Sequence, residues 1–258
     1  MPLRFRFNSL TVQLLTIFLS LLVWEVVGRA GIFPSRLFPP PSEVLPAIGE
    51  MAASGELAED LIASGSRWFL GFFLGGLIGI VLGILTGRVA WLRVSLGSLL
   101  NALSSIPKVV LIPIAIIWFG LTETQKVLLV AWGALFPIWL STQEGTSRIE
   151  QEYLWVAKSL GLKGTALVRH VYLPNSLPFI STGLRIAIAN ATFALAAAEM
   201  AGAFSGLAHR IFYSHQMFQT TRMFAGVLII TLFSWLLNGI FTLILRSSAP
   251  WLREGDAK

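Results

Sequence analysis

A chain of 258 residues that is 55% hydrophobic and only 12% charged, with a mean hydropathy of +0.75, lies far from the roughly 25% charged residues of an average soluble domain. It reads as a membrane protein with little left over for a soluble domain. Cysteine is absent, which excludes disulfides and thiolate metal sites, and the net charge of +6 is assigned to basic residues flanking membrane helices rather than to nucleic acid.

A spanning helix needs about 20 apolar residues, and the apolar blocks supply five or six of them. Arg4 and Arg6 precede a first run over 10–27. It is longer than the apolar region of a secretory signal and lacks a small-residue cleavage site, so it reads as a membrane helix with its amino terminus inside. Residues 31–60 then break the pattern with Pro34, Pro39, Pro40 and Pro41, followed by Ser42 and Glu43 ahead of Val44, Leu45, Ile48 and Met51. Prolines stop the first helix, and a short Ser-capped amphipathic helix is predicted after them. The acids Glu50, Glu56, Glu59 and Asp60 suit an external segment.

The second membrane block, 68–87, carries Gly71, Gly75, Gly79, Gly83 and Gly87, each four residues after the last. This spacing predicts a helix-packing seam along one face, where missing side chains admit a second helix; the general abundance of glycine in membrane helices accounts for one or two of them. A basic turn through Arg88 and Arg93 follows, inside by charge. Block 94–120 is interrupted at Ser104-Ser105-Ile106-Pro107-Lys108 and again at Pro113, and an interior proline kinks or breaks a helix. Pro107 and Lys108 mark either a broken element lining a translocation pathway, or a lysine snorkelling to the boundary with 94–105 along the surface.

Residues 121–124 are read as a tight external turn and 126–142 as the fourth helix. The fifth, 179–203, is rich in alanine, with Asn190 and Thr192 among the small residues; such a surface packs closely or lines a passage. Glu199 near its outer end is either a functional residue of that passage or a carboxylate paired with an arginine at the outer interface. Residues 204–222, with His209, Arg210, His215 and Arg222, are predicted as an external loop, and 224–245 as the sixth helix. Arg246, Trp251 and Arg253 anchor a cytoplasmic tail. With both termini inside, eleven cations fall inside and six outside, the bias expected of a cytoplasmic face.

Catalytic signatures are missing. No Gly-x-x-x-x-Gly-Lys-Ser/Thr phosphate loop occurs, and Gly161-Leu162-Lys163-Gly164-Thr165 has its composition in the wrong order. His170, His209 and His215 form no His-Glu-x-x-His pattern. An enzyme is disfavoured and no cofactor or metal is expected in this chain; any ATP used is bound, with its Mg, by another one.

Between the fourth and fifth helices lies a polar, basic island, 150–174. A helical pattern places Tyr153, Ala157 and Leu160 on one face and ends at Gly161, and a shorter amphipathic piece follows through Leu167, Val168 and Val171, closed by Pro174. With Lys158, Lys163 and Arg169 around its apolar positions, the island suits another protein's groove or an anionic lipid surface. Trp155-Val156-Ala157, three residues, Gly161, nine residues and Val171-Tyr172-Leu173-Pro174 resemble the cytoplasmic coupling motif of bacterial ABC importer membrane subunits, in which a Glu-Ala-Ala triplet, three residues, a Gly, nine residues and an Ile-x-Leu-Pro ending follow one another. Only Ala157 of the triplet is kept, and Glu152 stands one turn earlier where a carboxylate is otherwise missing. Further segments similar to permeases of the aliphatic-sulfonate, taurine and nitrate class are Leu37-Phe38-Pro39-Pro40-Pro41, Ile106-Pro107-Lys108 with Ile112-Pro113, Trp118-Phe119-Gly120, Gly183-Leu184-Arg185 and Ala198-Glu199-Met200.

The resemblance implies an all-α, six-helix type I importer fold in the bacterial inner membrane, with the whole chain a single permease domain. It further implies a homodimer, two ATP-binding cassette subunits docked on the 150–174 loops, and an external binding protein delivering a small anion such as a sulfonate, taurine, nitrate or bicarbonate. An ion-coupled secondary transporter without an ATPase partner is the alternative, although no repeat between the halves supports it.

Overall fold

The computed structural model describes residues 9–32, 34 and 36–248, and among these the chain is helical with no strand. The terminal cations Arg4, Arg6, Arg253 and Lys258, and Trp251, lie outside the described residues. In chain order the helices are α1 (Ser9–Arg29), α2 (Pro41–Ala53), α3 (Glu56–Arg88), α4 (Ala90–Ser104), α5 (Leu111–Phe119), α6 (Glu123–Ser147), α7 (Gln151–Ser159), α8 (Gly164–Leu167), α9 (Leu173–Gly202), α10 (Leu207–Gln216) and α11 (Thr220–Ser248). Five of them, α1, α3, α6, α9 and α11, are long and apolar enough to cross a membrane; α4 and the short helices after it, bent by 82° at the break, make a sixth crossing if taken together.

The centre of the bundle is α6, with α3 along one side and α9 along the other. Apolar attraction between helices is weak in lipid, so close backbone approach and interhelical hydrogen bonds have to hold them. Gly71, Gly75, Gly79, Gly83 and Gly87 all face α6, and the residues they meet advance in the same direction, which makes α3 and α6 parallel. A Cβ at Gly71 would lie 2.6 Å from the Val130 Cβ, one at Gly79 2.7 Å from the Leu135 carbonyl and one at Gly87 2.7 Å from the Thr146 Cβ; at Gly75 and Gly83 it would strike Ala131 and Thr142. Antiparallel α9 approaches α6 the same way, Gly183 meeting the Pro137 carbonyl and Gly133 that of Asn190. Polar side chains then join the helices. Trp68 Nε1 donates to Thr192 Oγ1 at 3.1 Å, Trp139 Nε1 to Thr86 Oγ1 at 3.0 Å, and Thr146 and Ser176 share a bond of 3.1 Å.

The periphery differs from the sequence reading in five places. Ser42 does not cap α2: Pro40 holds that position without a side-chain bond, because the Ser42 hydroxyl instead donates to Glu25 of α1 at 2.8 Å. Helix α3 starts at Glu56 rather than near residue 68; at about 50 Å it exceeds the roughly 30 Å hydrocarbon layer, so its first turns stand outside it. Only Gly120 to Thr122 turn before α6, since the Thr122 hydroxyl already accepts from the Gln125 amide as an N-cap. Residues 207–216 of the predicted loop form α10. Finally, Pro174 closes nothing: it sits where the π-helical turn Val168–Tyr172 passes into α9, and the chain runs on past it as helix.

Candidate functional site

The 150–174 loop is a folded hairpin. Helix α7 ends in a Schellman turn: Leu162 N–H donates to the Ala157 carbonyl and Gly161 N–H to that of Lys158, both at 2.9 Å, with Gly161 at φ +76°. A β-carbon is strained there, which is the physical reason for glycine. The turn folds Leu162 back so that Ala157, Leu167, Val171 and Tyr172 form a small core beneath α7. The apolar face expected from sequence is thereby split. Ala157 is 3% and Val171 7% exposed, whereas Trp155, Val156 and Leu160 are 61%, 60% and 74% exposed. Of the residues read as coupling positions, Glu152, Trp155, Val156, Lys158, Gly161, Lys163, Leu173 and Pro174 lie on the surface, and Ala157 and Val171 underneath. Beside the exposed residues a cavity of about 500 Å³ is lined by Glu152, Tyr153, Val156, Leu160, His170 and Asn175.

No break separates the hairpin from the bundle. A π-helical turn, Val168–Tyr172, leads directly into α9, and two cation–π contacts brace the junction, Arg88 over Tyr172 at 5.3 Å and Arg148 over Phe179 at 5.7 Å. Partway along α9, Asn190 accepts a hydrogen bond of 2.7 Å from Lys108 Nζ at the α4–α5 break, where Pro107 starts a 3-10 turn. Two residues read separately as pathway positions are thus brought together. They line a cavity of about 310 Å³ with Ser104, Trp132, Pro137 and Ser141.

Glu199 lies elsewhere, at the far end of α9. It is fully buried, bonded to Ser64 and Arg67 at 2.8 Å and to the Ala208 amide at 3.0 Å. Arg67, 4% exposed, also grips Glu123 and the Ser205 carbonyl, while Asp60 holds the Gly206 amide and Arg210 at 2.8 Å. Glycine at 206 has no side chain with which to cap α10, so Asp60, Ser64 and Glu199 satisfy the amides at its start from outside. Of the two readings of Glu199, the carboxylate paired with an arginine is the one found; the identity of that arginine, and the part played by Asp60, placed by sequence only in an external acidic segment, were not read. The spacing of Asp60, Ser64 and Arg67, one face of a helix begun earlier, was the available signal.

Residues 75–254 match the family of binding-protein-dependent transport system inner membrane components. The chain belongs to this family. Among related permeases, the putative aliphatic sulfonates transport permease SsuC of Escherichia coli (strain K12) is 35% identical, over 91% of this chain and 88% of its own length. The taurine transport system permease TauC of the same strain is 30% identical over 96% and 92%. In fold, the permease resembles an inward-facing structure of the MetNI methionine ABC transporter, with a TM-score of 0.63 and 20% identity over 73% of this chain and 94% of that one. The chain is therefore a multi-pass ABC importer permease component.

Proposed function

We propose that this permease forms the translocation path of an ATP-driven importer for a small anion, with two copies in the membrane, both termini cytoplasmic, and an ATPase subunit docked on each 150–174 hairpin. The observation that carries this reading is the exposed face of Trp155, Val156 and Leu160 on a hairpin whose underside is packed. An apolar face held rigid outside the spanning bundle is what a protein groove needs and what water disfavours. The missing phosphate loop supports a partner that binds ATP and its Mg, and an external binding protein is the expected source of solute.

In the cycle, ATP-driven closure of the docked subunits moves the hairpin as one body, and the unbroken passage into α9 carries that displacement to Asn190 and Lys108. Alternating access then follows from two arrangements of the α9 and α4–α5 elements. The sulfonate and taurine permeases among its relatives, and Lys108 in a cavity lined by no carboxylate, support an anion as cargo.

The test is reconstitution with the cognate ATPase and binding protein. Gly161→Val, which forces a branched side chain into φ +76°, is expected to insert normally yet to abolish solute-stimulated ATP hydrolysis; normal stimulation in the variant overturns the coupling role. Uptake by this chain alone, driven by an ion gradient without any ATPase, establishes the secondary transporter instead.

A further inference from the structure

A further groove, of about 480 Å³, runs between α9 and α11 and is lined among others by Arg185, Ala189, Ser234, Trp235 and Asn238. Arg185 stands about 18 Å along α9 from Leu173, inside the segment long enough to span the membrane. Among the described residues, the side chains of Arg185, Ser234 and Asn238 make no hydrogen bond or ion pair, and no carboxylate lines the groove. Five residues on, Asn190 faces the cavity of Lys108. The uncovered strip of α9 through Ile186, Phe193 and Met200 therefore has a cation on each flank and no acid between.

An arginine in a membrane-spanning segment is costly unless something polar compensates it, and it cannot escape by losing its proton. Its planar fork suits the two oxygens of a sulfonate, carboxylate or phosphate. Ser234 and Asn238 offer neutral hydrogen bonds beside it, and the exposed ring of Trp235 an apolar surface for attached carbon. We infer that Arg185, with Ser234 and Asn238, is a binding site for an oxyanion headgroup, borne either by a transported solute or by an anionic lipid. The solute arm rests on the transport reading above, whereas the site itself does not.

The natural absence of cysteine makes the test direct. Ala189→Cys places a single thiol one turn from Arg185. The full chain in phosphatidylcholine nanodiscs is treated with a methanethiosulfonate carrying an ethylsulfonate group, and separately with one carrying an ethyltrimethylammonium group. The anionic reagent is expected to react about tenfold faster, relative to both reagents at an exposed Phe218→Cys thiol, as one full charge near the thiol dictates. Adding Arg185→Gln abolishes that preference, and Arg185→Lys retains most of it. An unchanged ratio in Arg185→Gln, or a thiol that neither reagent reaches, overturns the site.

Protection of the thiol by butanesulfonate in these discs assigns the site to a solute. Arg185-dependent slowing only when phosphatidylglycerol is added assigns it to lipid. Because the ratio is read without an ATPase, failure of the transport reading and failure of this site are separate results.

Discussion

Two neighbouring glycines in α3 show how much a single methyl group matters in this bundle. A Cβ at Gly75 would collide with the Ala131 backbone, whereas one at Gly76 meets only the Ile138 Cδ1 at 3.5 Å. Gly75→Ala is expected to cost about 1–3 kcal/mol through forced separation of α3 and α6, and Gly76→Ala to be neutral, which thermal unfolding in detergent separates. About two turns earlier in α3, Arg67 holds two carboxylates of unequal burial, Glu199 at 0% and Glu123 at 64% side-chain exposure. Glu199→Gln is expected to lower stability by about 2–4 kcal/mol, since it strips charge from a buried network and weakens the start of α10. Glu123→Gln should cost less than Glu199→Gln, because the Glu123 carboxylate itself is exposed to water although Arg67 and Lys126 beneath it are buried. Equal shifts in the two variants would contradict this account. The four-residue glycine spacing was legible in sequence as a seam, but its partner α6 was not, because a blank face specifies closeness and not identity.

At the scale of the element, α7 explains its own departure from the Glu-Ala-Ala pattern. Ala157, the residue kept, is buried under the Schellman turn, so a larger side chain there must push aside Leu167, Val171 and Tyr172 or turn into the neighbouring cavity. Trp155 and Val156, the residues changed, point outward, where size is limited only by whatever docks. Trp155→Ser with Val156→Ser is therefore expected to leave the permease as stable as wild type while reducing co-purification of the proposed ATPase subunit at least tenfold. Ala157→Leu should instead destabilise the hairpin by about 1–3 kcal/mol. If both variants lose the ATPase and both lose stability, the division of α7 into outer and inner faces is wrong. The frame from Gly161 to Pro174 was readable, but not the fate of Pro174: proline forbids only what precedes it in a helix, and the sequence alone does not say whether a new helix begins there.

For the whole molecule, α9 separates two exposed residues, Leu160 at its hairpin end and Phe218 beyond its far end. On the proposed topology, with the hairpin cytoplasmic, a membrane-impermeant maleimide added to intact cells is expected to label Phe218→Cys and not Leu160→Cys. The reverse pattern would invert the topology and remove the hairpin from the ATP side.

By itself, the sequence determined the membrane class, the position and basic character of the hairpin, its glycine turn and the small-residue faces of α3 and α9. Each follows from local rules: the apolar length that spans lipid, the conformation only glycine adopts freely, and helical spacing. Tertiary structure alone decided that α3 and α6 run parallel, that Lys108 meets Asn190 in one cavity, and that Glu199 belongs to a buried cluster capping α10. Those outcomes join residues far apart in the chain, Arg67 and Glu199 being separated by 132 positions. A charge in a membrane segment announces that it needs a partner, but which partner arrives is set by the packing of the helices between them.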